Sequence, residues 1–182
     1  MKQSEAFEIL TKIAEDRNAL IIADIGSQSL WLKAAKDRPE NLYLSGPMGM
    51  ASSVALGIAM AHKNRAVIAA CGDGALGMNL SSLATISNAA PKNLSVVVMN
   101  NSIYEFTKSL PAPTRGIDWN HISSACPGFK SNIALKDIKD LDLLSGPHFI
   151  HAEIAPGKLP PGLGMNAIDV HHRFKACLNN LG

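Results

Sequence analysis

Two clusters of residues that suit metal and phosphate binding each follow an apolar stretch of the sequence. Gly-Asp-Gly occupies 72–74, after the apolar run 66–71, and an Asn-Asn pair occupies 100–101, after the apolar run 94–99. Asp and Asn side chains, with a backbone carbonyl, supply the hard oxygen ligands that Mg²⁺ prefers. Glycines let the backbone approach a diphosphate closely. The clusters therefore predict a site for Mg²⁺ that carries a phosphate group.

The elements that position these clusters follow from hydrophobic periodicity and turn residues. Strands alternate with helices, which predicts an α/β fold: a doubly wound parallel sheet with helices on both faces. The carboxyl ends of parallel strands are where such sheets bind ligands. The predicted strands are 19–25, 42–44, 66–71, 94–99, 131–135 and 148–154. The predicted helices are 5–16, 27–36, 54–61, 80–89, 118–125, 137–144 and 166–178, and the helix at 80–89 is expected to begin near Asn79.

The spacing of about 25 residues between the two clusters resembles the thiamine diphosphate motif, in which Gly-Asp-Gly precedes Asn-Asn at this distance. Gly-Asp-Gly alone would indicate no more than an ordinary strand-to-helix turn. By the resemblance, Asp73 and Asn101 hold Mg²⁺ through side-chain oxygens, and Ile103 supplies its carbonyl. The resemblance implies that thiamine diphosphate is the cofactor and that its contacts here are Gly72, Asp73, Gly74, Ala75, Asn101, Ile103 and Tyr104.

A second part of the resemblance lies in residues 45–53, a turn that leads into a helix rich in small residues. It is similar to the turn that grips the aminopyrimidine ring in thiamine diphosphate decarboxylases. In that family a bulky apolar residue, matched here by Met48, supports the bent conformation of the cofactor, and the carbonyl matched by Gly46 accepts a hydrogen bond from the ring amino group. Without the Gly-Asp-Gly and Asn-Asn motif further along the chain, Met48 would be interpreted as an ordinary residue of the hydrophobic core.

Composition narrows the possible functions. The chain has 182 residues, a net charge of +2 without a long basic run, and three widely spaced cysteines. Nucleic acid is therefore not an expected partner, and neither a disulfide framework nor a zinc site is indicated. No signal peptide and no apolar run of membrane-spanning length is visible, so we expect one domain, residues 1–182, in the cytoplasm.

Across nearly the whole chain the motifs resemble the diphosphate-binding half of a thiamine diphosphate-dependent 2-oxoacid decarboxylase, most closely the sulfopyruvate and phosphonopyruvate group. That group usually has Ser-Thr-Gly-Gly after Tyr-Glu, whereas this chain has Phe-Thr-Lys-Ser at 106–109. The resemblance implies decarboxylation of a small anionic 2-oxoacid to an aldehyde and CO₂.

Three charged residues after the motif have open roles. Lys108 and Arg115 could contact the second negatively charged group of the substrate or could be solvated loop charges. Glu105 could be a site residue or only an acidic residue at the start of a helix.

The glutamate that activates the cofactor in this family belongs to a separate pyrimidine-binding domain, for which 182 residues leave no room. The resemblance therefore implies an α-type partner subunit that carries this glutamate, with this chain as the β-type subunit of a hetero-oligomer. No catalytic residue is assigned in this chain. Three alternatives stay open: another thiamine enzyme such as an acetolactate synthase-like carboligase or a 2-oxoacid oxidoreductase subunit, a non-catalytic subunit, and a Rossmann nucleotide-binding protein, which lacks support because no Gly-x-Gly-x-x-Gly follows the first strand.

Overall fold

The computed structural model describes residues 1–179, in which six parallel strands form the central sheet. Eight strands occur in chain order: β1 (Leu20–Ala23), β2 (Asn41–Tyr43), β3 (Val67–Gly72), β4 (Leu94–Asn100), β5 (Ile103–Tyr104), β6 (Leu110–Pro111), β7 (Ser131–Ala134) and β8 (His148–Glu153). The sheet order is β2-β1-β3-β4-β8-β7, and β5 and β6 pair separately as an antiparallel hairpin.

Helices cover both faces of this sheet. They are α1 (Gln3–Asp16), α2 (Ser27–Ala35), α3 (Ala51–Ala61), α4 (Asp73–Met78), α5 (Ser81–Ala89), α6 (Trp119–Ser124) and α7 (Ala167–Asn179), with a 3-10 helix at Leu135–Asp140. Successive side chains of a strand point to opposite faces, so each strand supplies both cores. Ile21 and Ile68 pack in the core on one face, and Ile22 and Ala69 pack in the core on the other. Burial of both faces explains why β1, β3 and β4 are almost continuously apolar.

The predicted doubly wound parallel sheet is confirmed, and each of its six strands lies where the sequence indicates, within three residues at either end. The helix expected from near Asn79 through 80–89 is confirmed as α5, and a separate helix, α4, which was not predicted, precedes it from Asp73. The helix predicted at 137–144 was wrong, since a 3-10 helix occupies Leu135–Asp140. No strand was predicted at Leu110–Pro111, which forms β6 of the hairpin.

The site is placed by the point at which the strand order reverses. The chain runs from β1 to β2 on one side of β1 and then crosses to β3 on its other side, so a crevice opens at the carboxyl ends of β1 and β3. Strand β4 lies next to β3 and ends at the same edge. No helix within residues 1–179 combines the length and the apolar character needed to cross a membrane.

Candidate functional site

A pocket of about 440 Å³ lies at the carboxyl ends of β1, β3 and β4. Four stretches of chain line it: 25–28 after β1, the turn before α3, 72–78 at the end of β3 and in α4, and 101–107 after β4. Residues more than 70 positions apart therefore meet in one cavity. All nine residues predicted to contact the cofactor are among those that line it: Gly46, Met48, Gly72, Asp73, Gly74, Ala75, Asn101, Ile103 and Tyr104.

The Gly-Asp-Gly segment begins a helix that packs closely against distant parts of the chain. Gly72 is the N-cap of α4 and Asp73 is its first residue. Taken alone, Gly-Asp-Gly indicated only an ordinary strand-to-helix turn. The structure shows why glycine occupies positions 74 and 77: a Cβ on Gly74 would collide with the Tyr104 ring, and a Cβ on Gly77 would collide with the Thr114 methyl group. Both contacts are long-range, so local propensity could not reveal them.

The Asp73 carboxylate is almost completely buried, with 1% of the residue exposed. Burial raises its pKa, and a side-chain hydrogen bond from Thr114 opposes that shift. The Thr114 hydroxyl donates to Asp73 Oδ2 over 2.7 Å. One carboxylate oxygen is thus engaged within the protein, in a position where a bound divalent cation would favour the ionised form.

The two asparagines after β4 have different surroundings. Asn100 Nδ2 donates to both carboxylate oxygens of Glu153 at 2.9 Å, and Asn100 lines a second, polar depression instead of the main pocket. Asn101 lines the main pocket, and its Oδ1 accepts the backbone N–H of Ile103 at 3.1 Å. This turn orders the backbone at 101–103, the same three residues from which the sequence predicted two metal ligands.

The turn that carries Gly46 and Met48 is hydrogen-bonded to a residue at the end of β1 and to one at the end of α4. Asp24 Oδ1, just after β1, accepts the backbone N–H groups of Gly49 at 3.0 Å and Met50 at 3.1 Å. Burial raises the pKa of Asp24 to about 6, with its second oxygen, Oδ2, buried and unpartnered. Asn79, at the end of α4, donates from Nδ2 to the Gly49 carbonyl at 2.8 Å. Met48 is thereby presented to the pocket with 36% of its surface exposed.

The sequence analysis assigned no site role to Asp24, Gln28 or Thr114. Gln28 lines the pocket, is 4% exposed, and has a buried Oε1 without a partner in the described structure. The Gly-Ser-Gln turn that opens α2 was a visible signal for it, because a polar residue at a helix start after a strand suits anion binding. Thr114 had no such signal, since only the fold brings it to Asp73.

The two basic residues suggested for substrate binding lie outside the pocket. Lys108 and Arg115 are exposed, and neither lines the pocket. Glu105 and Phe106 do line it, and the Phe106 ring packs over Gly26, where a Cβ would lie 3.2 Å from the ring. Among the described residues that line the pocket there is no lysine, arginine or histidine.

The pocket fits a diphosphate cofactor with Mg²⁺. One carboxylate, one amide oxygen and backbone carbonyls form a donor set of the kind that a phosphate-bound Mg²⁺ takes. No group of three or more His, Cys, Asp and Glu side chains that could hold a metal alone occurs within residues 1–179, so the phosphates would complete the coordination. The unpartnered Gln28 Oε1 leaves a polar contact for the cofactor, and the wall of small residues leaves space for it.

Comparison with known proteins agrees with this geometry. The family described as "Thiamine pyrophosphate enzyme, C-terminal TPP binding domain" matches residues 24–132. The sulfopyruvate decarboxylase subunit beta of Methanothermobacter thermautotrophicus is 32% identical over 180 residues, which cover 96% of this chain and 94% of that protein. The phosphonopyruvate decarboxylase of Streptomyces viridochromogenes is 34% identical over 170 residues, which cover 88% of this chain but 42% of that longer protein.

An X-ray structure of a Mycobacterium smegmatis enzyme described as thiamin diphosphate-dependent superposes with a TM-score of 0.69 at 21% identity. The match covers 86% of this chain and 32% of that chain, and it shows the shared α/β fold. Thiamine diphosphate, typically with Mg²⁺, is the cofactor of the matched family. The chain belongs to the thiamine pyrophosphate enzymes, in the decarboxylase family that includes the sulfopyruvate decarboxylase β subunits.

Proposed function

We propose that residues 1–182 form one diphosphate-binding domain, the β-type subunit of a thiamine diphosphate-dependent decarboxylase that converts a short anionic 2-oxoacid of the sulfopyruvate or phosphonopyruvate type to an aldehyde and CO₂. The observation that carries the proposal is the convergence of the nine predicted cofactor contacts in one pocket at the switch point of the sheet. The named activities of the relatives supply the reaction class.

In this proposal the chain binds and orients the cofactor. Asp73, Asn101 and the Ile103 carbonyl would hold Mg²⁺, and the backbone at 72–75 would bind the diphosphate, since all of them line the pocket. Met48 would support the aminopyrimidine ring, and the Gly46 carbonyl would accept a hydrogen bond from the amino group of that ring. When bound, thiamine diphosphate supplies the carbon nucleophile that adds to the keto group and the electron sink that allows CO₂ to leave.

The remaining groups come from an α-type, pyrimidine-binding partner. The activating glutamate belongs to that subunit in the family, and this chain offers the pocket no cation within its described lining. A substrate with a second anion needs a positively charged contact, since an unpaired buried charge is costly. We therefore assign that contact to the partner rather than to Lys108 or Arg115, which are exposed outside the pocket.

Native mass spectrometry of the protein from its own source, with Mg²⁺ and thiamine diphosphate present, tests the assembly. We expect a hetero-oligomer with a second chain of similar mass that retains the cofactor. The assembled enzyme is then given sulfopyruvate, phosphonopyruvate and pyruvate, with aldehyde and CO₂ measured. A homo-oligomer without cofactor would contradict the subunit assignment. Acyloin products would indicate a carboligase instead of a decarboxylase, and acyl-CoA products would indicate an oxidoreductase.

The site assignment is tested in the same assembled enzyme by Asp73→Ala, with Asp140→Ala as the matched control. Asp140 is exposed at the end of the 3-10 helix and outside the pocket. We expect loss of Mg²⁺-dependent cofactor retention for Asp73→Ala and no change for Asp140→Ala. Retention of the cofactor by Asp73→Ala at the wild-type level would refute the metal assignment.

A further inference from the structure

Thr114 reaches the pocket from the segment that follows the β5–β6 hairpin. It is buried, with 5% of the residue exposed, and its hydroxyl donates to Asp73 Oδ2. The backbone around it is fixed by two hydrogen bonds: Ala112 N–H donates to the Ser102 carbonyl at 2.9 Å, and Ile117 N–H donates to the Thr114 carbonyl at 2.9 Å. Thr114 is therefore held in place by its own segment, independently of Asp73.

Both branches of the Thr114 side chain meet the same face of α4. Residues 73 and 77 lie one helical turn apart, so they share that face. The Thr114 hydroxyl contacts Asp73, while its methyl group lies over Gly77, where a Cβ would collide with it. Serine would keep only the first contact and valine only the second, which separates the two contributions experimentally.

We infer that Thr114 is a positioning residue for the metal site: its hydroxyl engages one oxygen of Asp73 and so fixes the direction in which the other oxygen faces Mg²⁺. The inference rests on the proposed role of Asp73 as a Mg²⁺ ligand. Groups that hydrogen-bond a metal ligand orient it, and their loss typically weakens metal binding about 10- to 100-fold. The Thr114 hydroxyl also supplies a hydrogen-bond donor to a carboxylate oxygen that is buried from solvent.

The test is calorimetric titration of Mg²⁺ into the assembled enzyme at saturating thiamine diphosphate, which measures the metal dissociation constant apart from turnover. Thr114→Val removes the hydroxyl and keeps the shape, and Thr114→Ser keeps the hydroxyl. Thr11→Val is the matched control, because Thr11 is equally buried but its hydroxyl donates to the Phe7 carbonyl within α1. Gly77→Ala gives an independent perturbation, since it displaces Thr114 without altering either polar group.

We expect the dissociation constant of Mg²⁺ to rise about 10- to 100-fold in Thr114→Val. It should also rise in Gly77→Ala, and it should stay within about threefold of wild type in Thr114→Ser and Thr11→Val. Wild-type affinity in Thr114→Val, an equal loss in Thr114→Ser, or an equal loss in Thr11→Val would overturn the inference. Asp73→Ala separates this result from the parent proposal: if it binds Mg²⁺ normally, the metal site itself is wrong, and if it alone loses Mg²⁺, only the role of Thr114 is wrong.

Discussion

The pocket has one wall made by residues 72–78, here called the cradle. The opposite wall includes residues 103–107, which belong to the segment 103–111, here called the hairpin. Most cradle side chains at the pocket are small and buried: Asp73 is 1% exposed and Ala75 is 4% exposed, and only Met78, at the end of the cradle, is large and exposed, at 60%. In the hairpin, Phe106 is 60% exposed and Leu110 is 58% exposed. A buried wall of small residues suits a cofactor that never changes, whereas an exposed wall of larger side chains suits a partner surface or a substrate that differs between relatives.

The turn at 46–50 also contributes to the pocket, and its backbone is hydrogen-bonded to the buried carboxyl group of Asp24. Burial raises the pKa of Asp24 to about 6 from 3.8 in its ordinary state. The folded chain therefore holds this proton more tightly than the unfolded chain, and wild type loses about 3 kcal/mol of stability from this group as pH rises from below about 4 to above about 6. Asn in place of Asp24 does not titrate.

Asp24→Asn should consequently become more stable relative to wild type by about 2.5 kcal/mol between pH 4 and pH 7. Urea unfolding of the full chain at pH 4, 5.5 and 7 measures this difference. Asp169→Asn is the control, because Asp169 is exposed in the first turn of α7. A pH-independent difference between Asp24→Asn and wild type would show that the buried carboxyl does not titrate in this range, and the turn would then be anchored differently from our description.

Gly74→Ala tests whether cofactor binding depends on the close packing of the cradle against Tyr104. The added Cβ collides with the Tyr104 ring, so the ring must move out of the place it occupies between the two walls. Because the ring can swing toward solvent, we expect the fold to survive and the affinity for thiamine diphosphate to fall about tenfold, or about 1.4 kcal/mol. Equilibrium binding of the cofactor to the assembled enzyme measures this effect.

Gly57→Ala provides the matched control for that substitution. Gly57 lies within α3, and a Cβ there meets nothing within 4 Å. Alanine should leave cofactor affinity unchanged and increase stability by about 1 kcal/mol through its better helix propensity. If Gly57→Ala weakened cofactor binding as much as Gly74→Ala, the close packing of the cradle against Tyr104 would not explain the loss.

The same two walls show what could be predicted from the sequence. The strands and the pairing of Gly-Asp-Gly with Asn-Asn could be predicted because apolar runs and turn residues are local signals. The start of α4 at Asp73 could not, because its glycines are explained by contacts with Tyr104 and Thr114, which lie 30 and 37 positions further along the chain. The β5–β6 hairpin was missed because each strand is two residues long, too short for a period to be visible.

Phe106→Ser tests the hairpin as the wall that contacts the variable part of the substrate. Removal of the ring from above Gly26 opens the pocket on that side. We expect the ratio of kcat/KM for a bulkier 2-oxoacid over sulfopyruvate to rise about fivefold, a modest change of the size seen when a few carbon atoms alter a pocket wall. Competition assays with both substrates in the assembled enzyme measure the ratio directly.

Leu110→Ser is the matched control for Phe106→Ser. Leu110 is an exposed apolar residue of the same hairpin but does not line the pocket. It should leave the substrate ratio unchanged. A loss of partner association in Phe106→Ser, without a change in the substrate ratio, would mean that the exposed ring belongs to the subunit interface and that the hairpin does not select the substrate.

The smallest expected effect concerns the backbone at the tip of the hairpin. Lys108 and Ser109 have φ values of 56° and 57°, a left-handed conformation that costs a non-glycine residue about 1–2 kcal/mol. Glycine avoids this cost but loses about 0.5–1 kcal/mol through the greater freedom of the unfolded chain. Lys108→Gly should therefore stabilise the chain by about 0.5–1 kcal/mol, whereas Lys158→Gly, at an exposed loop position without positive φ, should destabilise it slightly.

Urea unfolding of both variants, together with cofactor affinity, decides what this strain is for. Increased stability with unchanged affinity in Lys108→Gly would mean that the lysine side chain, and not the backbone shape, is what the Lys-Ser sequence provides. Increased stability with weaker cofactor binding would indicate that the strained tip holds the hairpin in its position over the pocket, as strained backbone often does at functional sites. Equal destabilisation in both lysine variants would contradict the left-handed backbone conformation at the tip of the hairpin.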